Sequence, residues 1–157
     1  MKHIITALVE NQPGVLARIV GLISGRGYNI ESLNVGPTHD PSVSRITILV
    51  PGDDRILEQV TKQLNKLIDV IRVTDLTKQR FVHHELVFVK VSIAQGKRSD
   101  VVELTHLVGA KVVAVAEQSV IIQIVDDGER IGEFLDLLKP YGILDVARSG
   151  VTAMSKD

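Results

Sequence analysis

One order of predicted elements occurs twice along this chain, and it restricts the fold more than any other feature of the sequence. Segments rich in β-branched residues predict strands, and segments with apolar residues every three or four positions predict helices. They follow each other as β-α-β-β-α-β in the first half, and the second half has the same order in a dissimilar sequence. This order is typical of the split βαβ, or ferredoxin-like, arrangement, a four-stranded antiparallel sheet with both helices on one face. We therefore predict an α+β protein of two tandem ferredoxin-like βαββαβ domains, residues 1–77 and 78–157.

The breaks between these elements are marked by Gly, Pro, Asn and Asp residues. Asn11 is the predicted N-cap of the first helix, Asp53 caps the second, and Asp100 with Glu103 forms a predicted capping box for the third. The predicted strands cover residues 3–9, 28–35, 43–50, 70–76, 85–94, 111–116, 119–125 and 143–154, and the predicted helices cover 13–24, 56–68, 100–108 and 131–138.

Composition excludes several classes of function. The 18 Lys and Arg residues nearly cancel the 19 Asp and Glu residues, so the basic surplus that nonspecific nucleic-acid binding requires is absent. Apolar stretches such as 112–116 and 120–122 are far shorter than the roughly 20 residues that span a bilayer. The chain has no cysteine, which excludes disulfides and thiolate chemistry. No apolar leader precedes the first strand, so we expect no signal peptide and a soluble cytoplasmic protein.

The segment Asn-Gln-Pro-Gly-Val-Leu at residues 11–16 is the first candidate site. The free N–H groups at a helix start attract an anion such as a carboxylate, and glycine lets a ligand approach the backbone closely. The Asn11 side chain adds an amide that both donates and accepts, so the segment suits a free amino acid. The alternative is an ordinary helix start with proline in its first turn.

The other candidates are weaker. Asn29 begins an otherwise apolar predicted strand and either faces a ligand or forms a turn. His83 and His84 are interpreted as solvated side chains rather than metal ligands. The acids at 126, 127 and 129 suit a helix start, with a calcium site as the less favoured alternative. The run 148–150 indicates a bulge or a contact with a partner.

Several segments of the chain resemble a known family. Residues 11–16 and the run Gly-Tyr-Asn-Ile-Glu-Ser-Leu at 27–33 are similar to the ACT domain of the acetohydroxyacid (acetolactate) synthase regulatory small subunit. Ser44-Arg45 with the strand that follows, residues 59–64 and residues 147–150 also look like that family. The resemblance extends from about residue 2 to the end of the chain.

The resemblance implies a non-catalytic subunit that activates the thiamine-diphosphate-dependent catalytic subunit and confers feedback inhibition by valine in branched-chain amino acid biosynthesis. It implies a homodimer whose N-terminal sheets pair and bind valine at their interface, and it gives the second domain a part in contacting the catalytic subunit. No cofactor is expected in this chain, since thiamine diphosphate, Mg²⁺ and FAD would belong to the catalytic subunit. No catalytic or metal-binding residue is expected either. The expected valine-binding residues are Asn11, Gly14, Val15, Leu16, Asn29 and Ile30. Asn29 is expected to come from the other protomer, and the Ile30 region is expected to hold the isopropyl group.

Three alternatives belong to other classes of function. An ACT-type amino-acid sensor could regulate a different enzyme or a transcription factor, although no DNA-reading element is visible. A small enzyme is compatible with the fold, because fold does not decide function. A purely structural dimerisation protein would bind no amino acid.

Overall fold

The computed structural model describes residues 2–157, which form two compact units. The first unit runs up to Val82 and also includes Val151–Asp157, and the second is His83–Gly150. Each unit holds one four-stranded sheet and two α-helices in the order βαββαβ, which confirms the predicted fold class. No helix within residues 2–157 is long and apolar enough to cross a membrane.

The sheet of the first unit has the strand order β2-β3-β1-β4, with neighbouring strands antiparallel. Alternate residues of β1 and β3 point to one face, where both helices pack on them in a single core that includes Ile5, Ile48, Ile19 and Leu64. The elements of this unit are β1 (Lys2–Glu10), α1 (Val15–Gly25), β2 (Ser32–Pro37), β3 (Val43–Pro51), α2 (Asp54–Asn65) and β4 (Val70–Asp75).

Two sequence predictions about the first unit are wrong. The N-cap of α1 is Gly14 rather than Asn11, so the helix begins at Val15 and not at residue 13. The strand β2 begins at Ser32 and not at residue 28, so Asn29 lies in a loop. The apolar residues Tyr28 and Ile30 produced the strand-like pattern because this loop packs them against the core.

The elements of the second part of the chain are β5 (Phe81–Ser92), α3 (Arg98–Leu107), β6 (Lys111–Val115), β7 (Ser119–Asp126), α4 (Gly128–Leu138), a 3₁₀ turn (Lys139–Tyr141) and β8 (Ile143–Ser155). The sheet of the second unit has the strand order β6-β7-β5-β8. Its core contains Val89, Ile122 and Phe134, with the sheet again covered on one face. The predicted capping box is wrong, because α3 begins earlier and its N-cap Lys97 makes no side-chain cap bond.

The end of β8 belongs to the first unit. Ala153, 2% exposed, packs with Ile4 and Leu76 on the face of the first sheet opposite the helices. The backbone N–H of Val151 donates to the hydroxyl of Ser32 at 2.9 Å. Residues 151–157 therefore complete a second, smaller core of the first unit, although they are distant from it in sequence. The division at residues 77 and 78 stays a prediction about folding domains.

Candidate functional site

The loop that leads into α1 is tied to the turn between β2 and β3. The backbone N–H of Asn11 donates to the carbonyl of Ser42 at 2.8 Å. Its side-chain Nδ2 donates to the carbonyl of Pro41 at 2.9 Å. This second bond leaves Oδ1 as the remaining polar atom of the Asn11 side chain, and the residue is exposed.

The first turn of α1 leaves its backbone donors open. Gly14 is the N-cap with φ at +84°, a left-handed conformation that glycine adopts without steric cost. The first helical bond runs from the Arg18 N–H to the Gly14 carbonyl at 3.0 Å. Among residues 2–157, no side chain caps this turn, and the turn contains no acidic residue. The N–H groups of Leu16 and Ala17 therefore face outward at the positive end of the helix dipole, which favours a bound anion.

A cation lies beside this turn. Arg18 pairs with Asp69 at 2.7 Å, and its Nη1 lies so close to Gly14 that a Cβ at position 14 would be 3.2 Å from it. The adjacent β2–β3 turn contains Asp40, where bonds from the Ser42 hydroxyl and backbone N–H lower the pKa of the carboxyl group. A side chain added at Gly14 would therefore contact the guanidinium group of Arg18 beside the first turn of α1.

The second predicted segment is the loop between α1 and β2. Gly27, with φ at +77°, closes the helix, and Asn29 is exposed. Ile30 is partly buried against the first core, so its side chain is held by its own protomer. The Tyr28 hydroxyl donates to Oε1 of Gln59, which fixes the loop against α2.

The structure places the two predicted segments at opposite ends of the first sheet. The pairing of Glu10 with Val43 marks the end near Asn11. The pairing of Ser32 with Leu49 marks the other end, next to the loop of Asn29. The six residue steps of β3 from Val43 to Leu49 separate these ends by about 20 Å. One protomer therefore does not bring Asn11 and Asn29 together.

The weaker candidates have structural roles. Asp127 is the N-cap of α4, and its carboxylate accepts from the Arg130 N–H at 2.9 Å. Arg148 pairs with the buried Glu85 at 3.1 Å, and Gly150 has φ at +84° within β8. Within residues 2–157, no three His, Asp or Glu side chains cluster as metal ligands do.

Both halves of the chain match models of one family. Residues 5–72 match a model described as the AHAS small subunit-like ACT domain, and residues 84–157 match one described as the small subunit of acetolactate synthase. The chain is 49% identical to a probable acetolactate synthase small subunit of Archaeoglobus fulgidus, over 98% of this chain and 96% of that protein. It is 45% identical to the acetolactate synthase small subunit of Bacillus subtilis, over 99% of this chain and 91% of that protein.

A solved structure has the same fold throughout. The acetolactate synthase small subunit from Thermotoga maritima matches with a TM-score of 0.90 at 32% identity, over 100% of this chain and 98% of that chain. These findings confirm the predicted resemblance, including the assignment of a regulatory rather than a catalytic subunit. This chain belongs to the acetolactate synthase small-subunit family.

Proposed function

We propose that this small subunit binds the thiamine-diphosphate-dependent catalytic subunit of acetolactate synthase in the cytoplasm, raises its activity and makes it sensitive to inhibition by valine. The catalytic subunit would hold thiamine diphosphate, Mg²⁺ and FAD, and would condense pyruvate with pyruvate or 2-oxobutyrate. The observation that carries the proposal is the match of both halves of the chain to the small-subunit family. The open first turn of α1 supplies a place for an amino-acid effector.

The carboxylate of valine is proposed to bind the N–H groups of this turn around Gly14, Val15 and Leu16. The Val15 N–H donates to the Gln12 carbonyl at 3.4 Å, so the ligand would complete the bonds that the next two N–H groups, of Leu16 and Ala17, leave unmade. The ammonium group needs acceptors, and Oδ1 of Asn11 is the atom left after Nδ2 has bonded Pro41. Leu16 is 40% exposed and offers aliphatic surface for the isopropyl group.

The second half of the pocket is proposed to come from another copy of the chain. β2 is an edge strand, and edge strands pair readily with a second strand. Antiparallel pairing of two β2 strands about a two-fold axis puts the Ser32 end of one beside the Pro37 end of the other. Asn29 of the partner subunit then approaches the turn that holds Asn11. Pairing through the other edge, β4, would leave these loops apart.

Such a shared pocket links valine to dimer geometry. An effector that binds one arrangement of two protomers better than another shifts the population between them. A coupling of about 1–3 kcal/mol is enough for useful control. Because each pocket would use both chains, occupancy would be transmitted directly to the dimer and from it to the catalytic subunit.

A titration of the cognate catalytic subunit tests the proposed function. Acetolactate formation is measured with increasing amounts of this chain, with and without valine. We expect saturable activation that valine reverses. Activation without valine sensitivity would retain the partner and refute the effector, and no change in activity would refute the regulatory role.

Mixed dimers test whether the pocket is shared. Asn11→Ala and Asn29→Ala homodimers should each have weak valine inhibition, since every pocket lacks one amide. In a dimer that carries one change in each chain, one pocket lacks both amides and the other is intact. Coexpression of the two variants with different affinity tags should therefore restore part of the inhibition. If the mixed dimer is as insensitive as its parents, each pocket lies within one chain.

A further inference from the structure

Two arginines lie on the face of the first sheet opposite the helices, in one row across three strands. Leu8 on β1 pairs with Arg45 on β3 and with Arg72 on β4. Neighbouring strands are about 4.8 Å apart, so the two arginine Cα atoms are separated by about 10 Å. Both side chains line a cavity of about 490 Å³.

A bulge in β4 sets the position of Arg72. The register shifts after Leu8, because Arg72 pairs with Leu8 while Val70 pairs with Val9. Ile71 is therefore the extra residue of the bulge. It allows Val70 and Val73 both to pack on the core while Arg72 faces the other side. The sheet thus departs from regular pairing at the position that aligns the two arginines.

The charges of the two arginines are not neutralised within the described chain. No carboxylate of residues 2–157 lies within ion-pair distance of Arg45 or Arg72. Asp157 also lines the cavity, but it pairs with Arg80 at 2.5 Å. The cavity therefore carries an excess of positive charge.

The other residues that line this cavity supply further hydrogen-bond donors and few large side chains. Thr6 and Thr74 occupy the next row on the same face, and Thr6 is only 3% exposed. Gln79 and Ser155 line the same cavity. Gly36 on β2 pairs with Arg45 and adds no side chain beside its guanidinium group. Hydroxyl and amide donors around two guanidinium groups suit a ligand with several acceptor oxygens.

We propose that this cavity binds a phosphate group, free or as part of a small phosphate ester. A guanidinium group forms paired hydrogen bonds with two oxygens of one anion. A tetrahedral phosphate has enough oxygens for both arginines, whereas a single carboxylate satisfies only one in this way. The lining does not include the loops proposed for valine, although Arg45 also borders a cavity beside the β2–β3 turn. The inference does not depend on the proposed function.

Calorimetry on the 157-residue chain tests this site with inorganic phosphate, glycerol 3-phosphate and the monocarboxylate acetate as probes. We expect phosphate or its ester to bind once per chain, and either Arg45→Gln or Arg72→Gln to weaken binding by about tenfold or more. Arg45→Lys, which keeps the charge and loses the paired donors, should weaken it less. Arg55→Gln removes an exposed arginine of α2 in the same unit and should leave binding unchanged.

Three results would overturn the proposal. They are absence of binding by both phosphate probes, equal loss in the Arg55 variant, and acetate binding as tightly as phosphate. A thermal melt of each variant distinguishes loss of the site from loss of the fold. Glycerol 3-phosphate binding more tightly than inorganic phosphate would identify an ester as the preferred form of the ligand, and the reverse would identify the free ion.

Discussion

Gly14→Asp should abolish valine inhibition of the holoenzyme while leaving activation intact. A carboxylate at the N-cap would accept hydrogen bonds from the first turn of α1, which are the donors proposed for valine. It would also repel the carboxylate of valine. At about 4 Å this repulsion is about 1 kcal/mol in water and about 4 kcal/mol at a protein surface, or about 5-fold to about 1,000-fold in affinity.

Gly14→Asp strains the backbone, since residues with a side chain rarely adopt φ near +84°, and a thermal melt of the variant measures that cost. Asp is among the residues that adopt the left-handed conformation of Gly14 most readily. The closest atom to the new Cβ would be Nη1 of Arg18, the flexible end of a side chain of opposite charge. The measurement is the valine concentration that half-inhibits acetolactate formation, at saturating amounts of the small subunit.

Gly109→Asp is the matched control for charge and backbone conformation. Gly109 has φ at +73°, lies in the turn after α3, and has open space where a Cβ would be added, with no neighbouring atom within 4 Å. This variant should retain the valine response of the unchanged protein. Full valine sensitivity in the Gly14 variant would show that the effector does not use this helix start.

Ala153→Asp should destabilise the first unit, although residue 153 lies near the end of the sequence. Ala153 is 2% exposed and packed against Ile4 and Leu76. A carboxylate placed there would be buried among aliphatic side chains without a hydrogen-bond partner. Such burial costs on the order of 3 kcal/mol or more of unfolding free energy.

Hydrogen exchange shows where this stability is lost. The N–H of Leu76 donates to the carbonyl of Ile4 at 3.0 Å, and its protection should fall in the variant. Backbone amides in the core of the second unit, such as that of Val89, should keep their protection from exchange. Thr152→Asp, at the exposed neighbouring position, should change the free energy of unfolding by less than about 0.5 kcal/mol. Equal destabilisation by both changes, or loss confined to the second unit, would contradict the assignment.

The parts of the fold that depend on local sequence are predictable. Strand β3 alternates between buried and partly exposed positions, except at the buried Thr47. Asp53 caps α2, as its position before an apolar helical pattern indicates. The start of α1 is harder to predict from the sequence, because Asn11 and Pro13 suggest an earlier N-cap than Gly14. The loop at Tyr28 and Ile30 has the apolar pattern of a strand because these residues pack on the core without pairing.

Long-range features have no local signal. The row formed by Arg45, Leu8 and Arg72 depends on the register of three strands and on a bulge at Ile71, and no spacing along the chain encodes these. The location of Asn11 and Asn29 at opposite ends of one sheet likewise follows from topology. The expectation that Asn29 comes from a second protomer stays a prediction, and the separation of the two loops within one sheet supports it.

The position of Val151–Asp157 in the first unit has a consequence for the order of folding during synthesis. Domains generally fold as the ribosome releases them, beginning with the N-terminal one. Here the small core around Ile4 and Leu76 cannot be completed until Ala153 is synthesised, which happens after all of His83–Gly150. The nascent first unit would expose this apolar surface throughout that interval.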